Sequence, residues 1–340
     1  MTLGVVLVTG ITGFIGTHTA LAFLEAGYTV RGTARSAAKA EDWIARFSQH
    51  KAQYEYAVVE DIAASGAFDE AVKGCTIIAH IASPAHWNQN DNETDLLIPA
   101  INGTKNLLYA TKNEPRIARV VFTSSLAAII EPTREPGKIV VETEWNPTTY
   151  EEAKAATNPT IVYRASKALA ERAFWDYIKD ENPTWAGSTI CPCATYGPPI
   201  QPLRSISALN TSVSFLWDLA SGKFKDGVPG GPPVYVDVRD VALAHVRAVE
   251  RDVAKNQRYL LVAGSNIPDE FADVISRHFP RLRDNLPPID LSKAGQSHFK
   301  FDASKVQREL GIQFTSVERM VVDTVTSILL LQQQFDTSGL

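Results

Sequence analysis

Cysteine is scarce in this chain. Cys75, Cys191 and Cys193 are its only three, too few and too unevenly spaced for a disulfide scaffold, so a reducing, cytoplasmic setting is expected. A basic surplus is also missing. The net charge of −5 argues against a nucleic acid or an acidic membrane surface as partner. No apolar run reaches membrane-spanning length, and no polar low-complexity tract is present. The opening residues are apolar but lack a basic segment, and Gly13 and Gly16 interrupt them, so they read as a first strand rather than a signal peptide. In a cytosolic chain the sequons at Asn92, Asn102 and Asn210 carry no weight. His80 and His86 have no third ligand nearby, so hydrogen-bonded or surface histidines are expected and no metal. What remains is a chain of 340 residues, enough for one large α/β domain or two smaller ones.

The informative stretch is Val5 to Gly16. Val5-Val6-Leu7-Val8 reads as a short buried strand, and an apolar, helix-patterned segment follows Gly16. Between them Gly10, Gly13 and Gly16 stand three apart. In a strand–turn–helix context Gly10 permits the tight turn, Gly13 lets a pyrophosphate approach, and Gly16 lets helix and strand pack closely. The phosphate then sits over the first free N–H groups of the helix.

The second strand, Tyr28 to Ala34, decides which dinucleotide. A site for NAD carries an Asp or Glu at this strand end to accept from the ribose 2′-OH, and none is present. Arg35 and Lys39 stand there instead. A guanidinium matches a phosphate bidentately and an ammonium adds charge, so this pair is expected on the 2′-phosphate of NADP(H). Arg31 is ambiguous, since alternation along the strand turns it elsewhere. The third strand, Tyr54 to Val59, ends at Asp61-Ile62, where a carboxylate can accept from the adenine amino group or cap the next helix. The fourth, Thr76 to Ile81, leads into Ala82-Ser83-Pro84, with Ser83 at the cleft. Asp95 to Lys112 reads as a long helix interrupted by Asn102-Gly103-Thr104. Arg119 to Ser125 is the fifth strand and ends in Ser124 and Ser125 at the carboxyl edge, where open α/β sheets bind ligands.

A helix from Tyr163 to Asp180 follows. Tyr163 and Lys167, four apart, project from one face. A second pair of the same spacing, Tyr150 and Lys154, competes. Tyr163 is preferred because it opens a continuous helix, has Ser166 directly before the lysine, and is followed by the strand Ser188 to Cys193 at one helix's distance, whereas Tyr150 follows Asn146-Pro147.

Taken together, Thr9-Gly-x-x-Gly-x-x-Gly16, Phe122-Thr-Ser-Ser125, Tyr163-x-x-Ser-Lys167 and Cys191-Pro-Cys-Ala-Thr-Tyr-Gly-Pro198 resemble the extended short-chain dehydrogenase/reductases. Within them the chain is similar to the dihydroflavonol reductase branch and to fungal NADPH-dependent aldehyde and ketone reductases of the methylglyoxal type. Val30-Arg-Gly-Thr-Ala-Arg-Ser36, His80-Ile-Ala-Ser83, Tyr235-Val-Asp-Val-Arg-Asp240 and Asp302 to Gly311 extend the likeness over nearly the whole chain. Cys193 departs from it, since many relatives carry other small or polar residues there. The resemblance implies a doubly wound, Rossmann-type parallel sheet with helices on both faces and a smaller C-terminal substrate-binding region. Residues 1–195 then hold the cofactor and catalytic residues; residues 196–340 mainly cover the substrate, with 234–262 returning to the sheet.

It further implies Ser125, Tyr163 and Lys167 as the catalytic set, with Asn102 supporting a proton relay. The cofactor falls to Thr9, Gly10, Thr12, Gly13, Phe14, Ile15 and Gly16 at the turn and to Asp61, Ile62, Ala82 and Ser83 at the next strand ends. Thr123, Ser124, Tyr163, Lys167, Pro192 and Cys193 complete it. Free tyrosine titrates near 10, so bringing Tyr163 to neutrality takes about three pKa units, roughly 4 kcal/mol, from Lys167 and oxidised nicotinamide. Ser83, Ser125, Leu126, Thr195 and Tyr196, with Trp217, suggest an apolar or mixed substrate pocket. The segment Ile200 to Pro233, around a helix from Ser207 to Ala220, reads as a lid. The C-terminal helix, Val317 to Phe335, is expected to pack on the core in preference to a second subunit. The expected activity is NADPH-dependent reduction of aldehydes, ketones or keto esters by a monomer or homodimer. The alternatives are a hydroxysteroid or sugar-nucleotide enzyme, disfavoured because no basic pair is placed for a diphosphate, and a non-catalytic NADP sensor, disfavoured by the intact Ser125, Tyr163 and Lys167.

Overall fold

A computed structural model of the chain describes residues 3–83, 90–130, 137–229, 234–265, 268–294 and 300–338. The chain opens β1 (Val5–Val8), α1 (Phe14–Glu25), β2 (Thr29–Ala34), α2 (Ala37–Arg46) and β3 (Tyr54–Val58). Then come β4 (Ile77–His80), α3 (Ile98–Ala110), β5 (Arg119–Thr123), the two-residue β6 (Ile139–Val140), α4 (Tyr150–Ala155), α5 (Pro159–Glu181) and β7 (Ala186–Pro192). The remainder runs β8 (Thr195–Tyr196), α6 (Thr211–Ser221), β9 (Val234–Asp237), α7 (Val238–Glu250), β10 (Gln257–Leu261) and β11 (Gly264–Ser265). It ends with α8 (Pro268–His278), β12 (Lys300–Phe301), α9 (Ser304–Leu310) and α10 (Val317–Ser338).

Seven strands form one sheet in the order β10-β7-β5-β4-β1-β2-β3, and every neighbouring pair is parallel. The central strands are buried on both faces, which is why Val6-Leu7-Val8 and Ile77-Ile78-Ala79 show no alternation. One apolar cluster joins α1 and α7 to one face, with Phe23, Val30, Val121, Val241 and Ala244 in it. The other face packs α3 and α5 through Leu107, Leu108, Phe122, Phe174 and Tyr177. Strand order reverses between β1 and β4, so their carboxyl ends frame the ligand crevice of such sheets.

Several boundaries differ from the sequence expectation. The helix through Asn102-Gly103-Thr104 is unbroken, preceded by a wider helical turn at Glu93–Leu97. Gly103 is a packing glycine: a Cβ there would stand 2.8 Å from Ile62 Cδ1. Helix α5 starts a turn before Tyr163, because Asn158 caps it by accepting the Thr160 N–H at 2.9 Å and Pro159 suits a first-turn position. Helix α6 starts at Thr211 rather than Ser207. The return of Val234–Val236 to the main sheet is corrected. Strand β9 pairs with β8 and β11 in a separate three-stranded sheet, and within 234–262 only β10 joins the large one. Lys300–Phe301 pairs with Ile139–Val140, and Val306, Leu310 and Ile312 enter the main core, so this later segment returns as well.

The small sheet carries α6, α8 and α10 over a second core that includes Leu216, Phe271, Met320, Val321 and Val325. Helix α10 is thus a core helix on that face. Arg239 fastens the two regions, donating to Asp237 at 2.9 and 2.6 Å and to Asp323 at 2.6 Å. Asp240 accepts from the Thr315 N–H at 2.8 Å and its hydroxyl at 2.9 Å. Among the described residues no helix is long and apolar enough to cross a membrane.

Candidate active site

Thr9 organises the turn after β1. Its Oγ1 accepts the N–H groups of Ile81 and Ala82, both at 2.9 Å, and lies 2.9 Å from His80 Nδ1. With both lone pairs engaged, the Thr9 proton goes to His80, whose ring is therefore neutral with its proton on Nε2. Burial pushes His80 down to about 3, and the nearby Lys167 charge adds to this. His80 is thus a hydrogen-bonded core histidine; His86 and Pro84 lie outside the described residues. Gly10 takes φ +69°, with Ala82 Cα 3.2 Å from where a Cβ would be. Helix α1 has no side-chain cap and no acidic residue in its first turn. The N–H groups of Phe14, Ile15 and Gly16 precede the first helical bond, Thr17 N–H to Gly13 O at 2.9 Å, and have no main-chain partner among the described residues, the condition in which a helix N-terminus can take an anion.

Arg35 and Lys39 flank Ser36, the N-cap of α2. Both are exposed, and neither pairs with a carboxylate among the described residues. Arg31 is resolved away from them: it pairs with Glu55 at 2.7 Å and donates to Ala71 O at 3.0 Å. The Asp61 carboxylate accepts the Ala63 N–H at 2.8 Å, and Ile62 lies over Gly103. Asn106 holds this loop by donating to Ile62 O at 3.0 Å and Ala64 O at 2.8 Å. Sequence reasoning missed Asn106, whose partners are main-chain carbonyls far away in the chain.

On α5, Lys167 Nζ donates to Ser83 Oγ at 2.8 Å and stands 5.6 Å from the centre of the Tyr163 ring. Burial lowers Lys167 to about 8. Burial raises the Tyr163 phenol, while a hydrogen bond with Ser125 pulls it back down. Ser125 opens the short turn Leu126–Ala128 and accepts the Ala127 N–H at 3.1 Å. The competing pair is engaged elsewhere: Tyr150 donates to Glu93 Oε1 at 2.7 Å and Lys154 lies 2.8 Å from Glu93 Oε2. Ser83, Ser125, Tyr163 and Lys167 thus converge beside the glycine turn, at the carboxyl ends of β4 and β5.

Residues 6–263 match the model of the NAD dependent epimerase/dehydratase family. The chain belongs to this family. A ketoreductase of Aspergillus niger is 40% identical over 95% of this chain and 97% of the relative. An NADPH-dependent methylglyoxal reductase of Saccharomyces cerevisiae is 32% identical, covering 95% and 98% of the two chains. The crystal structure of Gre2 from Candida albicans in its NADPH complex superposes with a TM-score of 0.88 at 37% identity, covering 96% of this chain and 98% of that one.

Other residues expected at this family site are placed differently. The Thr123 hydroxyl faces His245, 2.7 Å away. His245 Nδ1 donates to Val241 O at 2.7 Å, so Nε2 accepts from Thr123; burial lowers this histidine to about 4. The Ser124 hydroxyl donates to buried Glu171 at 2.5 Å. Both hydroxyls are therefore engaged within the protein, so any contact with the cofactor comes from the main chain. Leu126 is buried in the main core, and the Thr195 hydroxyl donates to Cys193 O at 2.9 Å. Tyr196 is fully buried within the second core, edge-on to Phe271, so it does not line an open pocket. Trp217 packs partly buried between two apolar clusters. Pro192 ends β7, and Cys193 is a buried thiol raised well above its ordinary value by burial. Asn102 is half-buried on α3, and its side chain makes no hydrogen bond among the described residues. The expected lid spans α6; residues 230–233 at its end lie outside the described residues.

Proposed function

We propose that the chain is an NADPH-dependent carbonyl reductase that converts aldehydes, ketones or keto esters to alcohols. The observation that carries this is the pairing of Tyr163 with Ser125 and of Lys167 with Ser83 beside an uncapped glycine turn. The names of the relatives support the same reaction class. The residues fit the cofactor. The first-turn N–H groups of α1 would hold its pyrophosphate, Arg35 and Lys39 its 2′-phosphate, and Asp61 and Ile62 its adenine. Ala82, Ser83, Pro192, Cys193 and the main chain of Thr123 and Ser124 would border its nicotinamide end, with Lys167 at the adjoining ribose. NADPH supplies the hydride.

The protein supplies the proton. As charge develops on the carbonyl oxygen, Ser125 donates a hydrogen bond to it and Tyr163 transfers its phenolic proton. The Lys167 ammonium stabilises the phenolate that remains. All these residues come from one chain, so the reading requires no partner subunit. Three unpaired thiols suit a reducing, cytoplasmic setting.

Two expected results test this reading. The reduction rate falls as pH climbs past about 8, where Lys167 gives up its proton and the charge beside Tyr163 disappears. The sign follows from the chemistry: proton transfer leaves a phenolate that the Lys167 charge stabilises, so losing that charge opposes reduction, and a rate indifferent to alkali would contradict it. Arg35→Ala raises the KM for NADPH by about 10- to 100-fold, the loss of one charge-assisted contact, and leaves the KM for NADH nearly unchanged. The assay follows NADPH and NADH oxidation with a panel of aliphatic, aromatic and keto-ester carbonyls. If NADPH binds but no carbonyl is reduced, the proposal is wrong.

A further inference from the structure

One buried ion pair joins the elements that carry the catalytic set without belonging to it. Glu171 lies on α5 one turn beyond Lys167, and Arg258 lies on β10 at the sheet edge. Arg258 grips Glu171 with a fork, Nε to Oε1 at 2.7 Å and Nη2 to Oε2 at 2.8 Å. Glu171 is fully buried and Arg258 nearly so. The carboxylate also accepts from the hydroxyls of Ser124 at 2.5 Å and Thr189 at 2.8 Å. The guanidinium donates onward to Glu142 O at 2.7 Å and to Glu144 O, and its Cζ stands 3.7 Å from the centre of the Trp145 ring.

These contacts bracket Ser125. On its N-terminal side, Ser124 is tied to Glu171. On its C-terminal side, Asn146, the neighbour of Trp145, donates its N–H to Ala128 O at 2.9 Å and its Nδ2 to Ala127 O at 3.2 Å. The turn that carries Ser125 is therefore clamped between the Tyr163 helix and a segment hung on Arg258. A buried ion pair is poor evidence for stability, because apolar residues of similar volume often do as well. Its cost makes sense where it fixes a geometry.

We propose that Glu171 and Arg258 are positioning residues that hold Ser125 in hydrogen-bonding contact with Tyr163. This rests on the reductase reading for its kinetic consequence, though not for the geometry itself. The titratable groups facing these residues are Lys167 beside Tyr163 and Cys191. The Cys191 thiol lies 3.8 Å from both Glu171 oxygens; burial and then that carboxylate push it up to about 12, so it is neutral.

The test compares Ser125→Ala with the paired variant Glu171→Met/Arg258→Met, which leaves no lone buried charge. The substrate-free readout is the ultraviolet titration of the Tyr163 phenol, taken as the difference between each protein and its Tyr163→Phe counterpart. Ser125 lowers that pKa, so losing its contact raises it. The expected result is an upward shift in the paired variant equal to that of Ser125→Ala, and an unshifted phenol overturns the proposal. In turnover, the paired variant loses about 10- to 100-fold in kcat with the KM for NADPH within about threefold. Combining it with Ser125→Ala costs less than about twofold more. Multiplying losses overturn the proposal. Should the paired variant not fold, Asn146→Ala removes the side-chain bond to Ala127 O, together with those it accepts from Thr148, and is judged by the same shift and the same non-additivity, with Thr148→Val as the control for the second set. A wild type that reduces no carbonyl defeats the reductase reading alone, because the phenol titration still decides the positioning.

Discussion

Tyr163→Phe is expected to lower kcat for carbonyl reduction by about 10²- to 10⁴-fold, the range for loss of a positioned general acid. The substitution removes one oxygen and leaves the ring, so the packing around it is kept. Ser125 retains the Ala127 N–H, and Lys167 retains Ser83. The KM for NADPH should stay within a few-fold, since the turn and basic pair proposed to hold the cofactor are untouched. The control is Tyr150→Phe. That hydroxyl is committed to Glu93, the carboxylate that also holds Lys154, and its loss should leave kcat within about twofold because no group near the chemistry moves. A Tyr163→Phe enzyme with full activity, or an inactive Tyr150→Phe enzyme with normal folding, would reverse the assignment.

The contrast between the two tyrosines shows what the sequence can carry. Spacing could not separate them, since both stand four before a lysine. The choice rests on helix continuity, the serine before Lys167 and the distance to the next strand, and the structure adds a physical reason that spacing lacks: Glu93 occupies one pair, and Ser125 and Ser83 meet the other. The glycine turn was legible because its strand and helix are local and strongly apolar. The basic pair stands out because it fills a position where an acid would otherwise stand, and both side chains are exposed. The pairing of strand β9 was not legible, because its partners, Thr195–Tyr196 and Gly264–Ser265, are two residues long and carry no periodicity. The direction of the Thr123 and Ser124 hydroxyls was not legible for a related reason. A hydroxyl at a strand end can face the cleft or the layer behind it, and here His245 and Glu171 claim them from elements that come later in the chain. Arg258 is the sharpest case. It sits in an apolar strand, 87 residues after Glu171, and nothing local announces a buried partner.

Gly16→Ala should damage the enzyme at the opposite end of the site. Backbone conformation is not the obstacle, since Gly16 is an ordinary helical residue. The obstacle is space: a Cβ would stand 2.1 Å from Gly10 O and 2.9 Å from Gly10 C. Both are main-chain atoms, so no side chain can swing aside. Gly10 cannot retreat freely either. It holds a positive φ against Ala82, and the Ala82 N–H is fixed by Thr9. The strain must move the turn or tilt α1 away from β1. Overpacking of this kind costs about 1–3 kcal/mol, read as a lowered denaturation midpoint. Tilting α1 also withdraws the Phe14 and Ile15 N–H groups from the pyrophosphate, so the KM for NADPH should rise by more than about tenfold, as befits the loss of hydrogen bonds to a charged ligand. Gly13→Ala separates the two effects. Its Cβ would be 3.3 Å from Gly10 O, a contact a small shift relieves, so stability should hold while a methyl group enters the phosphate mouth. If Gly16→Ala instead binds NADPH as wild type does and melts unchanged, the close approach of helix and turn is not what shapes the cofactor site.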